Sequence, residues 1–330
     1  MKSTLRPGLR HVAIHVRRAV DQAGLPGDLR DLLLTLLATP GHILAPGGQP
    51  RWPRFVLASC LALDGPGHSA AQAAAAVEFV AVAADLLDDV LDDELPAGSD
   101  QRVAVNASHV LAWLGQATAL QLAAGIGSRR AMLVVGSLSE GMLAAHAGEH
   151  LDVVLERKPI ASEDLALEMT GRKSGSMIGM ACRVGAALAT DDPATLDAVG
   201  TFGYRVGVVA QVLNDMVGVD ADAAVRGSDL RRRKKTLPVA FLLRCAEEEG
   251  LGDVLDLYAR PEAPSPDEEQ RLAVLIHDLG ALHYAWTVAD AWRHEAVASL
   301  TRLQSTTHID TDRLRRLIPS VRARGYGRLT

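Results

Sequence analysis

An all-α fold is predicted by three features of this 330-residue chain. Aromatic residues make up only 4% of it while Ala and Leu abound, a balance that favours helix over sheet. Val falls mostly inside Ala/Leu-rich segments, without the alternation of a half-buried strand. Turn punctuation cuts the chain into about ten segments, several longer than an average globular helix. A hydrophobic content of 48% is ample for a large core. No shift of composition and no internal repeat marks a boundary, so residues 1–330 are expected to form a single domain with its core at about 29–304.

Helices are expected at 29–39 and 53–63, separated by "TPGHILAPGGQPRWP", whose prolines and glycines interrupt the helical pattern. The next covers 70–93, between "LDGPGHS" and "LPAGSD". A helix at 102–124 falls in the uncharged run from Val103 to Ser128, which is long enough for a membrane span. Asn106, Ser108, His109, Gln116, Thr118 and Gln121 interrupt that run, which therefore reads as a core helix in the middle of a bundle and not as a span. Helices follow at 129–157, 162–190, 194–222 and 237–249. After "RPEAPSP", Ser265, Pro266 and Glu268 make a capping box that opens a helix over 266–304, and a last helix is expected at 310–323.

Net charge is −6 with a pI near 6.0, so no overall basic field draws nucleic acid or an anionic membrane. Cys60, Cys182 and Cys245 stand far apart without C-x-x-C spacing and read as core thiols. The N-terminal "MKSTLRPGLRHVAIHVRR" lacks an apolar signal core, and a cytoplasmic protein is expected.

The chemistry begins at "ADLLDDVLDDE", residues 84–94, where an apolar helix ends in six acidic residues. Asp85, Asp88, Asp89 and Asp92 follow i, i+3, i+4, i+7 spacing and share one stripe. Like charges at that spacing repel unless a cation sits among them, whereas a solvated helix end would leave them without a task. The preceding "AAAAVEFVAVAADLL" is too apolar to be a surface, so the acids terminate a core helix and point to hard-cation ligands, with Mg²⁺ the best match. A second apolar helix ends in "QVLNDMVGVDAD", with Gln211, Asn214, Asp215, Gly218, Asp220 and Asp222. Cations follow in "GSDLRRRKKTLP", with Asp229, Lys234 and Lys235, and lie upstream in "GRKSGS", with Arg172 and Lys173. Metal-bound diphosphate calls for such acids and cations together.

On these residues the chain resembles the polyprenyl synthetase, or trans-isoprenyl diphosphate synthase, family over roughly residues 44–300. "DDVLD" is similar to the first aspartate-rich motif, "GEHLD" to G-Q-x-x-D, and "RKSGS" to K-T-G. "AQVLNDMVGVD" is similar to F-Q-x-x-D-D-x-x-D, and "GSDLRRRKKTLP" to G-x-D-x-x-x-G-K-x-T-L-P, which aligns Lys234 and Thr236 with its lysine and threonine. The resemblance implies a helical bundle around a deep cavity, a homodimer, three Mg²⁺ ions and ionisation of an allylic isoprenyl diphosphate. By the same resemblance Asp88, Asp89 and Asp92 would hold two ions and Asn214, Asp215 and Asp222 the third. Arg172, Lys173 and Lys234 would neutralise the diphosphate, and Gln211 would border the cation. Ala83 and Ala84, about one turn before Asp88, would leave the tail cavity open to a C15 or C20 chain.

The departures are informative. The family's G-G-K-R-x-R-P, which helps bind the isopentenyl diphosphate acceptor, appears as "GGQPRWP", with Gln49, Pro50 and Trp52 replacing three cations and Arg51 out of register. The R-R-G after the first motif is missing; "DELPAGSDQRVAV" has only Arg102. A prenyltransferase using a different, unidentified acceptor is the reading these departures favour. A terpene cyclase, an ordinary polyprenyl diphosphate synthase and a non-catalytic regulatory subunit stand as alternatives, the cyclase through a loose likeness of Asn214, Gly218 and Asp222 to N-x-x-x-S-x-x-x-E. "HAGEH", His146 to His150, also fits the H-x-x-E-H zinc-peptidase pattern, but the same residues fit the family's G-Q-x-x-D helix.

Overall fold

The computed structural model describes residues 2–47, 50–219, 229–306 and 309–320, and every regular element among them is helical. In chain order these are α1 (Lys2–Gln22), α2 (Gly27–Leu36), α3 (Trp52–Ala62), α4 (Gly67–Leu91), α5 (Gln101–Leu120), α6 (Ala123–Ile126), α7 (Ser128–Glu156) and α8 (Glu163–Thr170). A π-helical turn (Gly171–Gly175) leads into α9 (Ser176–Ala187), followed by α10 (Pro193–Gly218), α11 (Leu237–Glu249), α12 (Gly252–Ala259), α13 (Pro266–Asp278), α14 (Ala281–Thr306) and α15 (Thr311–Arg315). The all-α expectation holds.

The chain divides into two compact units, one of the described residues within 1–143, 176–204 and 296–318, the other of those within 144–175, 205–295 and 319–330. Neither is one continuous stretch of sequence.

In the first unit α4 is the axis, with α1, α3, α5 and α9 packed around it. Its residues from Ala73 to Ala83 are all buried, including Val77, Phe79 and Val80, each a side chain whose burial stabilises by about 1.5–3 kcal/mol. Alanine keeps this helix thin, and glycines on its neighbours bring them close. A Cβ on Gly115 of α5 would stand 2.6 Å from Val80 Cγ1 and 2.9 Å from the Ala76 carbonyl oxygen. By length and composition α4 could cross a membrane, as could the bent pair α13 and α14 taken together, but 78% of the apolar window of α4 is buried within the protein.

The second unit centres on α11, which packs against α8, α12 and α13 and buries Leu237, Val239, Leu242 and Leu243. The expected capping box is present: Ser265 N–H donates to Glu268 Oε2 at 2.8 Å, and Glu268 N–H donates to Ser265 Oγ at 3.4 Å.

Several expectations need correction. The helix expected at 162–190 is interrupted by the π turn, and that at 266–304 breaks at Gly280, whose φ of +78° is left-handed backbone that glycine adopts without strain. The segment expected at 310–323 is helical only over Thr311–Arg315 among its described residues. Helices α1 and α12 were not anticipated. Finally, α5 is not the centre of the bundle: Ala104, Ala107, Leu111 and Gly115 face α4, while Val103, Trp113 and Leu120 are exposed.

Candidate active site

The first acidic cluster is built by the end of α4. Asp88 and Asp89 lie in its last turn, half-buried, and Asp92 caps it, with its N–H donating to the Asp88 carbonyl at 2.9 Å. Asp93 takes a φ of +55°, and Glu94 N–H donates back to the Asp89 carbonyl at 2.8 Å, while Asp93 N–H reaches Val90 O at 3.4 Å. This is a Schellman ending with Asp in the left-handed position. Carboxylate oxygens of Asp88 and Asp92 lie within 4.8 Å of one another. A helix C-terminus already carries partial negative charge, so acids gathered there are destabilising twice over unless a cation joins them. The oxygen donors suit Mg²⁺.

Before Asp88, the same helix anchors the segment 37–47 through Glu78 and Asp85. His42 places Nδ1 3.3 Å from Glu78 Oε1 and Nε2 3.4 Å from Asp85 Oδ2, and Ile43 N–H donates to Glu78 Oε1 at 2.7 Å. Glu78 is 0% exposed. Burial alone would lower the pKa of His42, but contact with Glu78 and the charge of Asp85 outweigh it, against Arg51, and the pKa is raised. The Asp85 carboxyl, half-exposed yet crowded by protein, is pushed up to about 6, first by burial and then by Asp88 and Glu78 against the pull of His42. A lone acid in the apolar run before Asp85 was the available signal for this network.

Ala84 is half-buried and, four residues before Asp88, sits about 40° from it around the helix. Ala83 is buried on the α5 side, where its carbonyl accepts from Ser108 Oγ at 2.7 Å. The cations available to replace the missing motifs are placed differently. Arg51 is exposed and its N–H donates to Gly41 O at 3.1 Å. Arg102 pairs with its own N-cap, Nε to Asp100 Oδ1 at 3.2 Å and Nη2 to Oδ2 at 2.8 Å. Gln49 lies outside the described residues.

The second unit carries the basic cluster. Lys173 Nζ lies 2.8 Å from Glu149 Oε2 and 3.0 Å from Asp152 Oδ2, and Lys234 Nζ donates to the same Asp152 oxygen at 3.3 Å. The π turn sets this up, an extra residue in a helix of the kind often found at functional sites. Glycines on both flanks give it room: a Cβ on Gly148 would collide with the Lys173 backbone nitrogen, and one on Gly207 would come within 2.5 Å of Ser174 O. Ser174 Oγ donates to Gln211 Oε1 at 2.5 Å, and Gln211 Nε2 donates to Asp215 Oδ1 at 2.8 Å. Asp215 is 2% exposed and its Oδ2 has no hydrogen-bond partner among the described residues. Its carboxyl is pushed up to about 8, chiefly by burial and then by the charge of Asp229, against the Gln211 hydrogen bond. A buried carboxylate oxygen without a donor fits a metal ligand. Thr236 stands at the N-cap of α11, buried.

Other expected residues fall elsewhere. Arg172 is exposed and pairs with Glu168 at 2.9 Å. Asn214 is exposed, so Asp215 and not Asn214 joins the hydrogen-bonded chain. Asp222 and Asp220 lie outside the described residues. His146 and His150 are exposed while Glu149 is buried against Lys173, so the zinc-peptidase pattern is split across two sides of α7.

The sequence matches the family described as polyprenyl synthetase over residues 35–274. The chain belongs to the polyprenyl synthetase family. It is 32% identical over 255 residues to the geranylgeranyl diphosphate synthase of Mycobacterium tuberculosis, covering 74% of this chain and 73% of that one. Likewise it is 29% identical over 277 residues to the geranylfarnesyl diphosphate synthase of Aeropyrum pernix, covering 79% and 86%. Among solved structures, the polyprenyl synthetase of Streptomyces coelicolor A3(2) superposes with a TM-score of 0.78 at 25% identity over 96% of each chain. The chain is thus a prenyltransferase of the isoprenyl diphosphate synthase type, with the helical fold of that family.

Proposed function

We propose that this polyprenyl synthetase is a Mg²⁺-dependent prenyltransferase that ionises an allylic isoprenyl diphosphate with a C15 or C20 tail and passes the cation to an acceptor other than isopentenyl diphosphate. Residues 1–330 act as one isoprenoid synthase domain in the cytoplasm, a compartment consistent with free thiols at Cys60, Cys182 and Cys245. The supporting observation is an asymmetry of charge. Lys173 and Lys234 converge on Asp152, whereas Pro50 and Trp52 replace family cations and Arg102 is engaged by Asp100.

In this reading Asp88, Asp89 and Asp92 hold two ions and Asp215, with Asn214 and Asp222 in its motif, holds the third. Bound magnesium supplies the positive charge that stabilises the diphosphate as it leaves carbon. Lys173 and Lys234 donate to diphosphate oxygens, each such charge-assisted bond contributing about 1.5–3 kcal/mol. Arg172 adds its charge to theirs. Asp152 orients both ammonium groups until substrate arrives. Ser174 fixes the Gln211 amide, whose other end orients Asp215.

A homodimer is proposed through the first unit, where Val103, Trp113 and Leu120 of α5 and Met132 and Leu143 of α7 are exposed apolar side chains, Trp113 by 71%. Trp113→Glu should shift the chain from dimer to monomer in light scattering.

The experiment for the activity is incubation of pure protein with Mg²⁺, an allylic diphosphate and labelled isopentenyl diphosphate. Diphosphate release without label in longer chains is expected. Efficient label incorporation would instead establish ordinary elongation, the reading that the names of the relatives favour. A cyclic hydrocarbon would establish cyclisation, and no release at all a non-catalytic role.

A further inference from the structure

The two histidines of α1 meet a third at the start of α4. His11 and His15 are four residues apart, so they stand one above the other on one face of α1, with Cβ atoms about 6 Å apart. His68, in the first turn of α4, sets its ring edge-on to that of His15, with centroids 5.4 Å apart and planes at 63°. His11 and His68 also line one cavity of about 330 Å³, whose other walls include Leu5, Leu57 and Leu61. Three imidazoles from two helices are thus gathered beside an apolar hollow.

Their arrangement suits a metal ion with nitrogen ligands. Histidines at i and i+4 are the two-ligand spacing of helical zinc sites. Two imidazoles on one tetrahedral zinc, each bonded through nitrogen at about 2.0–2.1 Å, hold their ring centres about 5 Å apart. The His15–His68 separation is close to that value. Burial, and then the charges of His68, Arg18 and His11, lower the pKa of His15, so its ring is mostly neutral at pH 7 and keeps a nitrogen lone pair. Among the described residues no carboxylate pairs with any of the three rings. As the rings stand, their donors are not all within 4.8 Å of one another. His11 and His68 are exposed, and turning them between staggered rotamers re-aims their nitrogens without moving either helix.

We infer that His11, His15 and His68 form a binding site for a divalent transition ion of the zinc class, which fastens α1 to the start of α4 and takes water from the adjoining cavity as its fourth ligand. The site is separate from the first acidic motif: Asp88 lies about 30 Å further along the same helix at 1.5 Å per residue. Its donors are nitrogens, which select zinc, copper or nickel, whereas the carboxylates of Asp88 and Asp92 suit Mg²⁺.

The test is isothermal titration of the full chain with Zn²⁺ at pH 7.5 in excess Mg²⁺, with the visible absorption of Co²⁺ as a second readout. The parent should bind zinc, and cobalt should show the strong bands of a tetrahedral site. His15→Ala and His68→Ala should each weaken zinc binding by about tenfold or more and remove the cobalt bands, with helical content unchanged. His146→Ala breaks the other pair of histidines four residues apart, with His150, and should bind zinc as the parent does. Zinc should raise the melting temperature of the parent and not that of His68→Ala, because the ion binds the folded chain. Absence of zinc binding by the parent would overturn the inference. So would parental affinity in both His15→Ala and His68→Ala, or a loss of binding on His146→Ala in their place.

Discussion

Gly148 of α7 lies against the backbone nitrogen of Lys173, so close that a Cβ would collide with it and stand 2.8 Å from Arg172 C. The position of the Lys173 ammonium thus depends on a missing methyl group on another helix. Gly148→Ala should push the π turn outward and move Lys173 off Asp152. Overpacking of this kind costs about 1–3 kcal/mol, and a misplacement of about 1 Å at a catalytic group costs on the order of 10²-fold in rate. Turnover and urea midpoint should both fall while far-UV circular dichroism is kept. Unchanged turnover would remove Lys173 from the mechanism.

Asp89→Asn removes a charge at the end of α4 with almost no change of volume. Because acids at a helix C-terminus repel one another, the variant should be as stable as the parent in EDTA, or more so. With Mg²⁺ present it should lose most diphosphate release. Activity that survives the substitution, or survives EDTA in the parent, would contradict a metal role for the first motif.

His42 ties the segment 37–47 to α4 through buried Glu78, which makes stability depend on pH with a defined sign. Its pKa is raised above the ordinary 6.5, so the folded state holds this proton more tightly than the unfolded chain. The stabilisation is fully present below about pH 6.5 and is lost as pH rises through the folded value. His42→Ala should therefore lower the melting temperature most at pH 6 and progressively less towards alkaline pH. A difference from the parent that stays constant with pH would show that His42 acts through packing alone.

What the sequence disclosed and what it hid divide along physical lines. The acids of α4, the lysines of the two basic segments and the Ser265 capping box are local patterns, readable because helix spacing fixes which neighbours share a face. The pairing of the Ile43 N–H, next to His42, with Glu78 joins residues 35 apart in the chain, and nothing local announces it beyond one charge in an apolar run. The π turn was hidden because Gly171–Gly175 contains no breaker other than glycine, which helices tolerate. Helix α1 was legible but missed: Val12, Val16 and Val20, all buried, repeat every four residues behind Pro7 and a charged surface. The outward apolar face of α5 was hidden by uniform apolarity, which hydropathy reads as a central helix.

Arg233 stands where the family's G-K has its glycine, and its φ of +57° shows why glycine is usual there. The left-handed conformation costs a residue with a Cβ about 1–2 kcal/mol. The Arg233 guanidinium offsets this by donating to the Arg260 carbonyl and, at 3.1 Å, to Pro261 O. Arg233→Ala keeps the strain and loses both bonds, whereas Arg233→Gly loses the bonds and the strain together. Chemical denaturation should find the glycine variant more stable than the alanine variant by about 1 kcal/mol. The reverse order would mean that unfolded-chain entropy outweighs the strain.

Tail length should be set by Ala84 and not by Ala83, although the two are neighbours. Four residues at 1.5 Å rise put Ala84 about 6 Å deeper along α4 than Asp88 and about 40° away around it, while Ala83 lies about 140° away. The structure agrees with this geometry, since Ala83 is buried and its carbonyl is taken by Ser108 of α5, while Ala84 is only half-buried. A phenyl ring at 84 would extend under the acids of the first motif and, on the proposed function, shorten the space left for an isoprenyl chain. At 83 it would be forced into the contact with α5, an overpacking that costs about 1–3 kcal/mol. Ala84→Phe should therefore keep the parent's stability and shift the ratio of kcat/KM from C20 and C15 diphosphates towards C10. Ala83→Phe should lower the melting temperature and leave that ratio alone. If Ala84→Phe left the ratio unchanged, this face of α4 would not line the tail, and the floor of the cavity would belong to another helix.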